Sequence, residues 1–448
     1  MTQLHEEAET YVLPGLRVFD KYFEVPLDHN NESGEKIRVF ARQVIALEKE
    51  QDVEKLPFIV YLQGGPGFEC RYPSNSGWMK AAFAKGYQIL LLDQRGTGLS
   101  TSINTTSLEK FTTSEEKAEY LRYFRADSII KDCEIIRKEL LKNRESQKWS
   151  LLGQSFGGFC IATYLSLFPE SLDFALITGG VPPLVNNPDP VYQRLYKRVV
   201  KRNQQYYQKY PKDVARVRMI VEYLANNPTK LPNGGDLTIR RFQQLGLMFG
   251  FTGGFDTVHQ VVLTGASNLE NLGKFTYRFL ENIQELQSFD TNNLYAILHE
   301  TIYCQGESHR WAAERVRAEY NQFESNWEVY QNNSEKPIYF TGEMVYSWMF
   351  DDYAELRPLK ETAEILANYD RWGPLYNENR LRENTVPVAA VSYYNDMFVD
   401  VVLSEETAGT IKGMHQWITN KYHHNGLRED GYEIFNFLYR LKSGDVDI

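Results

Sequence analysis

The residues with the clearest chemical potential form the stretch Gly153-Gln154-Ser155-Phe156-Gly157, which follows an apolar run at residues 149–152. A Gly-x-Ser-x-Gly pattern between a buried strand and a helix predicts a nucleophile elbow, a strained turn that raises the serine hydroxyl above a sheet. Glycines on both sides leave the space that a tight strand-to-helix crossing requires. We therefore predict that Ser155 is a nucleophile.

A serine hydroxyl needs a base that removes its proton, and in this type of turn the partners follow in the order acid, then histidine. The histidines near the end of the chain are His415, His423 and His424. His415 lies within a predicted strand, whereas His423 and His424 lie in the loop after it, where a catalytic base should be. The adjacent Asn425-Gly426 turn favours His424 over His423.

Two carboxylates follow the apolar run at residues 386–393, and either is a candidate for the acid. Asp396 comes first after the run, at a place from which a carboxylate reaches an imidazole. Asp400 lies one helical turn further on, which is typical of a residue at the start of a helix. We favour Asp396.

A glycine-rich segment, Gln63-Gly64-Gly65-Pro66-Gly67, follows the first continuous apolar run at residues 58–62. Bare backbone at glycine lets a substrate approach closely. We predict that the backbone N–H groups of Gly65 (or Gly64) and Phe156 form an oxyanion hole, in which each donor lowers the barrier by about 3 kcal/mol.

The elements that must position these residues alternate between strands and helices. Residues 23–27 and 37–46 alternate apolar and polar side chains, as antiparallel strands with one wet face do. Continuous apolar runs are typical of parallel strands buried on both faces, and residues 115–141 carry helical periodicity between such runs. These runs lie at residues 58–62, 87–92, 149–152 and 174–178.

The pattern changes in the middle of the chain. Residues 182–376 are polar and mostly helix-like, and the strand pattern returns at residues 386–393, with a last strand near 415–419. We predict one α/β domain, built from residues 1–181 and 377–448, around a large helical cap at residues 182–376.

Composition limits the partners. The chain has 448 residues and a net charge of −10, which argues against nucleic acid, because phosphate binding needs a basic face. No run approaches the roughly 20 apolar residues that span a membrane, and residues 1–7 do not resemble an export signal.

The cysteines show neither zinc spacing nor a disulfide framework. They are Cys70, Cys133, Cys160 and Cys304. We predict a cytoplasmic protein; the oligomeric state stays open and includes a homo-oligomer.

Three segments together carry a resemblance to a known family: residues 63–67, residues 93–100 (Asp-Gln-Arg-Gly-Thr-Gly-Leu-Ser) and residues 153–158. The chain resembles the prolyl aminopeptidase (proline iminopeptidase) family of α/β-hydrolases, and Asp396 and residues 424–428 match that family's acid and base segments. Gln63 replaces the more common His, as in the larger, fungal-type branch with a longer cap. The resemblance implies a mostly parallel sheet with helices on both faces and a helical cap insertion.

The resemblance also implies an activity. It implies a serine aminopeptidase that releases N-terminal proline, or another small residue, from peptides through an acyl-enzyme, with no metal or organic cofactor. The charged amine of such a substrate needs a carboxylate, because an unpaired buried charge is costly. Residues 339–346 resemble the family segment that supplies this acid, which implies Glu343. Two further candidates come from their surroundings in the sequence: Glu300 lies in an otherwise apolar stretch, and Glu69 lies beside the glycine-rich segment.

Two other functions fit the same residues. The first is an esterase or amidase acting on small apolar acyl groups, which would use the same serine, acid and histidine. The second is a catalytically inactive α/β-hydrolase that acts as a binding protein, and the complete set of three residues argues against it. The segment with Asp93 and Arg95 is interpreted as a buried brace for a loop.

Overall fold

A computed structural model describes residues 5–331, 333 and 335–446. Residues 1–4, which contribute to the prediction that the chain has no export signal, lie outside this part. The described residues contain a nine-stranded sheet with the order β1-β2-β3-β5-β4-β6-β7-β8-β9. The strands are β1 (His5–Leu13), β2 (Leu16–Pro26), β3 (Lys36–Ala46), β4 (Phe58–Leu62), β5 (Gln88–Asp93), β6 (Trp149–Gln154), β7 (Leu172–Thr178), β8 (Val388–Tyr393) and β9 (Met414–Thr419).

The direction of the strands agrees with their hydrophobic pattern. The three N-terminal strands pair antiparallel with one another, and β3 pairs antiparallel with β5. The other pairings, from β5 through β4, β6, β7 and β8 to β9, are parallel. Each residue of β4, β5 and β6 is buried, as continuous apolar runs predict for strands covered on both faces. The predicted mostly parallel sheet is thus confirmed.

Helices cover both faces of the sheet, and β4 shows how. Phe58, Val60 and Leu62 pack in one apolar cluster together with residues of α3 (Ala126–Leu141) and α4 (Phe156–Leu167). Ile59 and Tyr61 point the opposite way, into a second cluster that includes residues of α1 (Gly77–Ala84) and α18 (Gly431–Leu441). The helices around the sheet are α1 (Gly77–Ala84), α2 (Ser114–Leu121), α3 (Ala126–Leu141), α4 (Phe156–Leu167), α16 (Val401–Thr410), α17 (Gly426–Glu429) and α18 (Gly431–Leu441).

The chain between β7 and β8 is helical in its described part. Its α-helices are α5 (Asp189–Lys209), α6 (Asp213–Asn226), α7 (Ile239–Gln243), α8 (Gly254–Leu272), α9 (Tyr277–Glu285), α10 (Asn293–Leu298), α11 (Ala312–Arg317), α12 (Glu328–Gln331), α13 (Met349–Asp352), α14 (Lys360–Ala367) and α15 (Glu378–Arg382). We call this stretch the helical segment; its division from the sheet domain as a cap at residues 182–376 stays a proposal. Among the described residues, no helix is both long and apolar enough to cross a membrane.

The register of the parallel strands brings three loops together. Leu62 at the end of β4 pairs with Gly153 of β6, and Thr178 of β7 pairs with both Gln154 and Val391 of β8. Because parallel strands end at the same edge of a sheet, the loops that follow β4, β6 and β8 meet there. This edge carries the glycine-rich segment, the serine turn and the acidic loop.

Candidate active site

Ser155 occupies a strained turn between β6 and α4. Its backbone has φ of 54° and ψ of −123°, on the left-handed side that non-glycine residues rarely adopt. A Cβ on Gly157 would lie 1.9 Å from the carbonyl oxygen of Leu62, and one on Gly153 would lie 2.5 Å from the carbonyl of Gly157. The close crossing of strand and helix therefore depends on glycine at both positions, and it presents the Ser155 hydroxyl above the sheet.

The structure brings His424 and Asp396 to this hydroxyl. His424 Nε2 lies 2.9 Å from Ser155 Oγ, and His424 Nδ1 lies 2.7 Å from Asp396 Oδ2. An ionised carboxylate only accepts hydrogen bonds, so Nδ1 must donate to Asp396, which leaves Nε2 as the acceptor for the serine proton. The side chains of Asp396 and His424 are buried, with 1% and 6% exposed.

Backbone groups hold the acid in place. The other oxygen of Asp396, Oδ1, accepts hydrogen bonds from the backbone N–H of Phe398 at 2.8 Å and of Val399 at 3.2 Å. Burial would lower the pKa of His424, but the charge and hydrogen bond of Asp396, with the charge of Glu343, raise it above its usual value. The arrangement therefore stabilises the imidazolium that forms when His424 takes a proton.

Asp400 and His423, the alternative candidates for the acid and the base, lie in environments that differ from those of Asp396 and His424. Asp400 caps α16, where its Oδ1 accepts from the N–H groups of Val402 and Leu403. The buried Nδ1 of His423 has no hydrogen-bond partner among the described residues. Burial and then the charge of Arg202 lower the pKa of His423, which opposes any gain of charge there.

The glycine-rich segment lies directly against Ser155. A Cβ on Gly64 would be 2.9 Å from the Cβ of Ser155, and Gly65 has φ of 132°, which favours glycine. Phe156 is the first residue of α4, so its N–H belongs to the helix end whose donors point away from the helix body. The oxyanion role of Gly65 and Phe156 stays a prediction, supported by this closeness.

Ser155 opens into a cavity of about 240 Å³. Its apolar wall consists of Phe68, Leu247, Met248, Phe251 and Leu286, and Tyr295, Glu343 and Arg428 are among its polar lining residues. A cavity that combines an apolar wall with polar groups on its other sides can hold an apolar part of a ligand and fix the orientation of its polar part.

Glu343 is the acid that the structure places in this cavity. The Tyr295 hydroxyl donates a hydrogen bond to Glu343 Oε1, and His299 Nε2 lies 3.7 Å from Oε2. Burial alone would raise the pKa of the carboxyl, but the interactions with His299, His424 and Tyr295 outweigh burial and lower it. Glu343 is therefore a carboxylate at neutral pH, and it faces the same space as Ser155.

The other two predicted acids do not line this cavity. Glu300 is buried, and its oxygens accept from the backbone N–H of Ala312 at 3.1 Å and of Ala313 at 2.8 Å, with His309 Nδ1 at 2.5 Å. It serves the start of α11, because a carboxylate is favoured at a helix N-terminus. Glu69 is exposed on the surface. The structure thus gives neither acid a contact with the substrate space.

Asp93 and Arg95 brace loops as expected, but through different partners. Asp93 accepts hydrogen bonds from the backbone N–H of Cys70 and of Leu99. Arg95 does not pair with Asp93; its Nε donates to Asp132 Oδ2 at 2.6 Å, and its other nitrogens reach backbone carbonyls. Both side chains are buried, and neither lines the cavity next to Ser155.

Tyr295 and His299 are functional candidates that the sequence analysis missed. They lie four residues apart, a spacing that places both side chains on one face of a helical turn. That spacing was the available signal, but nothing local indicated that this face meets residue 343, because the contact is formed by packing between distant parts of the chain.

A comparison with protein families gives the class of protein to which this site belongs. Residues 57–224 match the family model described as alpha/beta hydrolase fold. This range contains the glycine-rich segment and the Ser155 turn, and it agrees with the sheet order and the strained serine described above. The protein is thus an α/β-hydrolase.

Two relatives define the family more closely. The chain is 44% identical over 433 residues to a proline iminopeptidase of Aeromonas sobria, covering 96% of this chain and 98% of that protein. It is 40% identical over 427 residues to a proline iminopeptidase of Aspergillus aculeatus, covering 95% and 93%. The chain belongs to the proline iminopeptidase family, which confirms the resemblance seen in its motifs.

A solved structure is also similar to this chain, at a much lower sequence identity. The proline iminopeptidase of Mycobacterium smegmatis is 12% identical with a TM-score of 0.41, covering 95% of this chain and 100% of that chain. The fold assignment rests on the family model and on the sheet described above rather than on this superposition.

Proposed function

We propose that this protein is a serine aminopeptidase that releases N-terminal proline from peptides through an acyl-enzyme. The observation that carries the proposal is a single cavity that holds both the hydroxyl of Ser155, with its base at 2.9 Å, and the ionised carboxylate of Glu343. The Ser155 hydroxyl with its base is what acyl transfer requires, and the Glu343 carboxylate is what recognition of a charged amine requires. The two full-length relatives support proline as the residue released.

The catalytic steps follow from the three side chains at the sheet edge. Ser155 Oγ attacks the first peptide carbonyl while His424 Nε2 takes its proton, and Asp396 stabilises the imidazolium. The N–H groups of Gly65 and Phe156 bind the oxyanion. The C–N bond breaks as His424 returns the proton to the leaving amine. Water, deprotonated by His424, then attacks the acyl-enzyme and releases proline together with the Ser155 hydroxyl.

The substrate's amine is held by Glu343. A charged secondary amine entering a partly apolar cavity loses its hydration, and an ionised carboxylate compensates for that loss. Tyr295 and His299 hold the carboxylate, so that it needs little reorganisation when the amine arrives. The apolar wall, which includes Phe68 and Phe251, contacts the pyrrolidine ring.

Peptides with an N-terminal proline are therefore the proposed partners. The predicted absence of a nucleic-acid partner, the cytoplasmic location and a homo-oligomer stay predictions from the sequence. The four cysteines are free in the structure.

One comparison of substrates tests the proposal. The purified protein should hydrolyse proline β-naphthylamide with a higher kcat/KM than other aminoacyl naphthylamides or a simple acyl ester, and Ser155→Ala should lose all of these activities. Equal or better turnover of the ester, with no effect of Glu343→Gln on the proline substrate, would show an esterase instead.

A further inference from the structure

The cavity at Ser155 adjoins a second cavity of about 230 Å³. Gln63 and Arg428 line both, so the two spaces share a wall next to the nucleophile. A peptide that is held by its amine at Glu343 and attacked at Ser155 must extend its remaining residues away from Glu343. The second cavity lies on the far side of that shared wall and offers space for them.

Two arginines make this second cavity positively charged. Arg71 and Arg428 both line it, and within the described ranges neither has a carboxylate within 4.0 Å. Partial desolvation, and then the like charge of Arg71, lower the pKa of Arg428. Both arginines are exposed, so they present two positive charges to any anionic group that enters this cavity, and the planar guanidinium matches the geometry of a carboxylate.

The backbone adds a third positive feature. Helix α1 begins at this cavity, and Ser76, Gly77 and Trp78 line it. The first turn of α1 holds no acidic residue, so no side chain neutralises the positive end of its dipole. The rings of Trp78 and Tyr61 stack with centroids 4.9 Å apart and provide an apolar surface beside the charged groups.

We propose that this cavity, which we call the arginine pocket, binds the free C-terminal carboxylate of a proline-headed dipeptide, with the second residue's side chain against Tyr61 and Trp78. The inference rests on the proposed aminopeptidase function and names its preferred substrate class. A space of about 230 Å³ that directly adjoins the active-site cavity holds about one residue. In a longer peptide the terminal carboxylate lies beyond the arginines, and the attraction is lost.

The test compares substrates that differ only in the terminal charge. We expect wild-type kcat/KM to be about tenfold higher for Pro-Ala than for Pro-Ala amide, because a carboxylate between two arginines forms charge-assisted hydrogen bonds. The preference should disappear for Pro-Ala-Ala-Ala against its amide. It should also weaken in high salt, since the pocket is open to solvent.

Three arginine variants define the origin of the preference. Arg71→Gln should bring the acid-to-amide ratio close to one, mainly through a higher KM for Pro-Ala, and Arg71→Lys should retain part of the preference because it keeps the charge. Arg278→Gln is the matched control, since Arg278 is an exposed arginine on α9 that lines neither cavity. It should leave the ratio unchanged.

The outcomes separate this proposal from the proposed function. A wild-type ratio near one, or a ratio that Arg71→Gln does not change, would overturn the arginine pocket even if proline β-naphthylamide is hydrolysed well. Failure to release proline from any substrate, the naphthylamide included, would instead overturn the aminopeptidase function itself.

Discussion

The sheet edge and the helical segment contribute to one cavity, but they hold their functional groups differently. At the sheet edge, Ser155 lies in a turn fixed by strand and helix, and Asp396 is held by two backbone N–H groups. In the helical segment, Glu343 is held by two side chains, Tyr295 and His299. In the proposed function, the edge supplies the reaction, and the helical segment selects the molecule that reacts. Damage to the first should stop all turnover, whereas damage to the second should change which substrates are used.

The largest effect is expected at the nucleophile. Ser155→Ala should lower kcat about a hundred-thousandfold for proline β-naphthylamide and for a simple acyl ester alike, because both reactions need the same attacking oxygen. The loss is measured by initial rates, with circular dichroism to show that the variant is folded. A variant that loses the proline substrate but keeps the ester would show that the two reactions do not share the sheet edge.

The acid at the sheet edge should come next. Asp396→Asn should lower kcat about ten-thousandfold, because the amide no longer holds the imidazole in the required tautomer and no longer stabilises its charge. The matched control is Asp400→Asn, four residues further on, which keeps a side-chain oxygen that caps α16. If kcat falls more in Asp400→Asn than in Asp396→Asn, the assignment of the acid is wrong.

A variant of Glu343 tests whether the helical segment determines which substrates are used. Glu343→Gln should lower kcat/KM for proline β-naphthylamide about a hundredfold, since the amine loses a charged partner, while the uncharged ester changes less than about threefold. A loss of the same size for both substrates would place Glu343 in the shared machinery instead.

The same variant makes a prediction about pH. His424 acts as a base only when neutral, so ester turnover falls as the pH decreases through its raised pKa. The charge of Glu343 helps to raise that pKa, so in Glu343→Gln the pKa should be lower and the fall should occur at a lower pH. The ester is the right substrate for this profile because it carries no titrating amine. An acid limb that stays in place or moves upward would contradict the electrostatic link.

The smallest effect on catalysis is expected at Glu300. Glu300→Gln should lower the free energy of unfolding by about 2 kcal/mol, because the buried carboxylate accepts two N–H groups at the start of α11 and contacts His309. Denaturant unfolding measures the loss, and kcat/KM per folded molecule should stay within about threefold of wild type. Unchanged stability with a large loss of proline turnover would return Glu300 to the substrate site, as the sequence suggested.

Local patterns predicted more of the sheet edge than of the helical segment. The continuous apolar runs predicted the parallel strands, and the glycines around Ser155 predicted a turn whose geometry depends only on its neighbours. The order of acid and histidine reduced the choice to Asp396 or Asp400 and to His423 or His424, and the structure brings Asp396 and His424 to the serine.

The environment of the acids could not be predicted in the same way. Glu343 was indicated by a family resemblance, but its contacts with Tyr295 and His299 join parts of the chain more than 40 residues apart. Glu300 lies in an apolar stretch, which suggested a substrate contact. Its partners are His309 and the backbone N–H groups at the start of a helix, which only the folded chain brings near. Sequence periodicity carries no information about such contacts.

The most direct test of the central claim compares proline β-naphthylamide with its N-acetyl derivative. Both present the same carbonyl to Ser155, but acetylation removes the charged amine that Glu343 is proposed to bind. We predict that kcat/KM in the wild type is at least about a hundredfold higher for the free amine, and that Glu343→Gln removes most of this difference. Equal rates for the two substrates in the wild type would contradict the account.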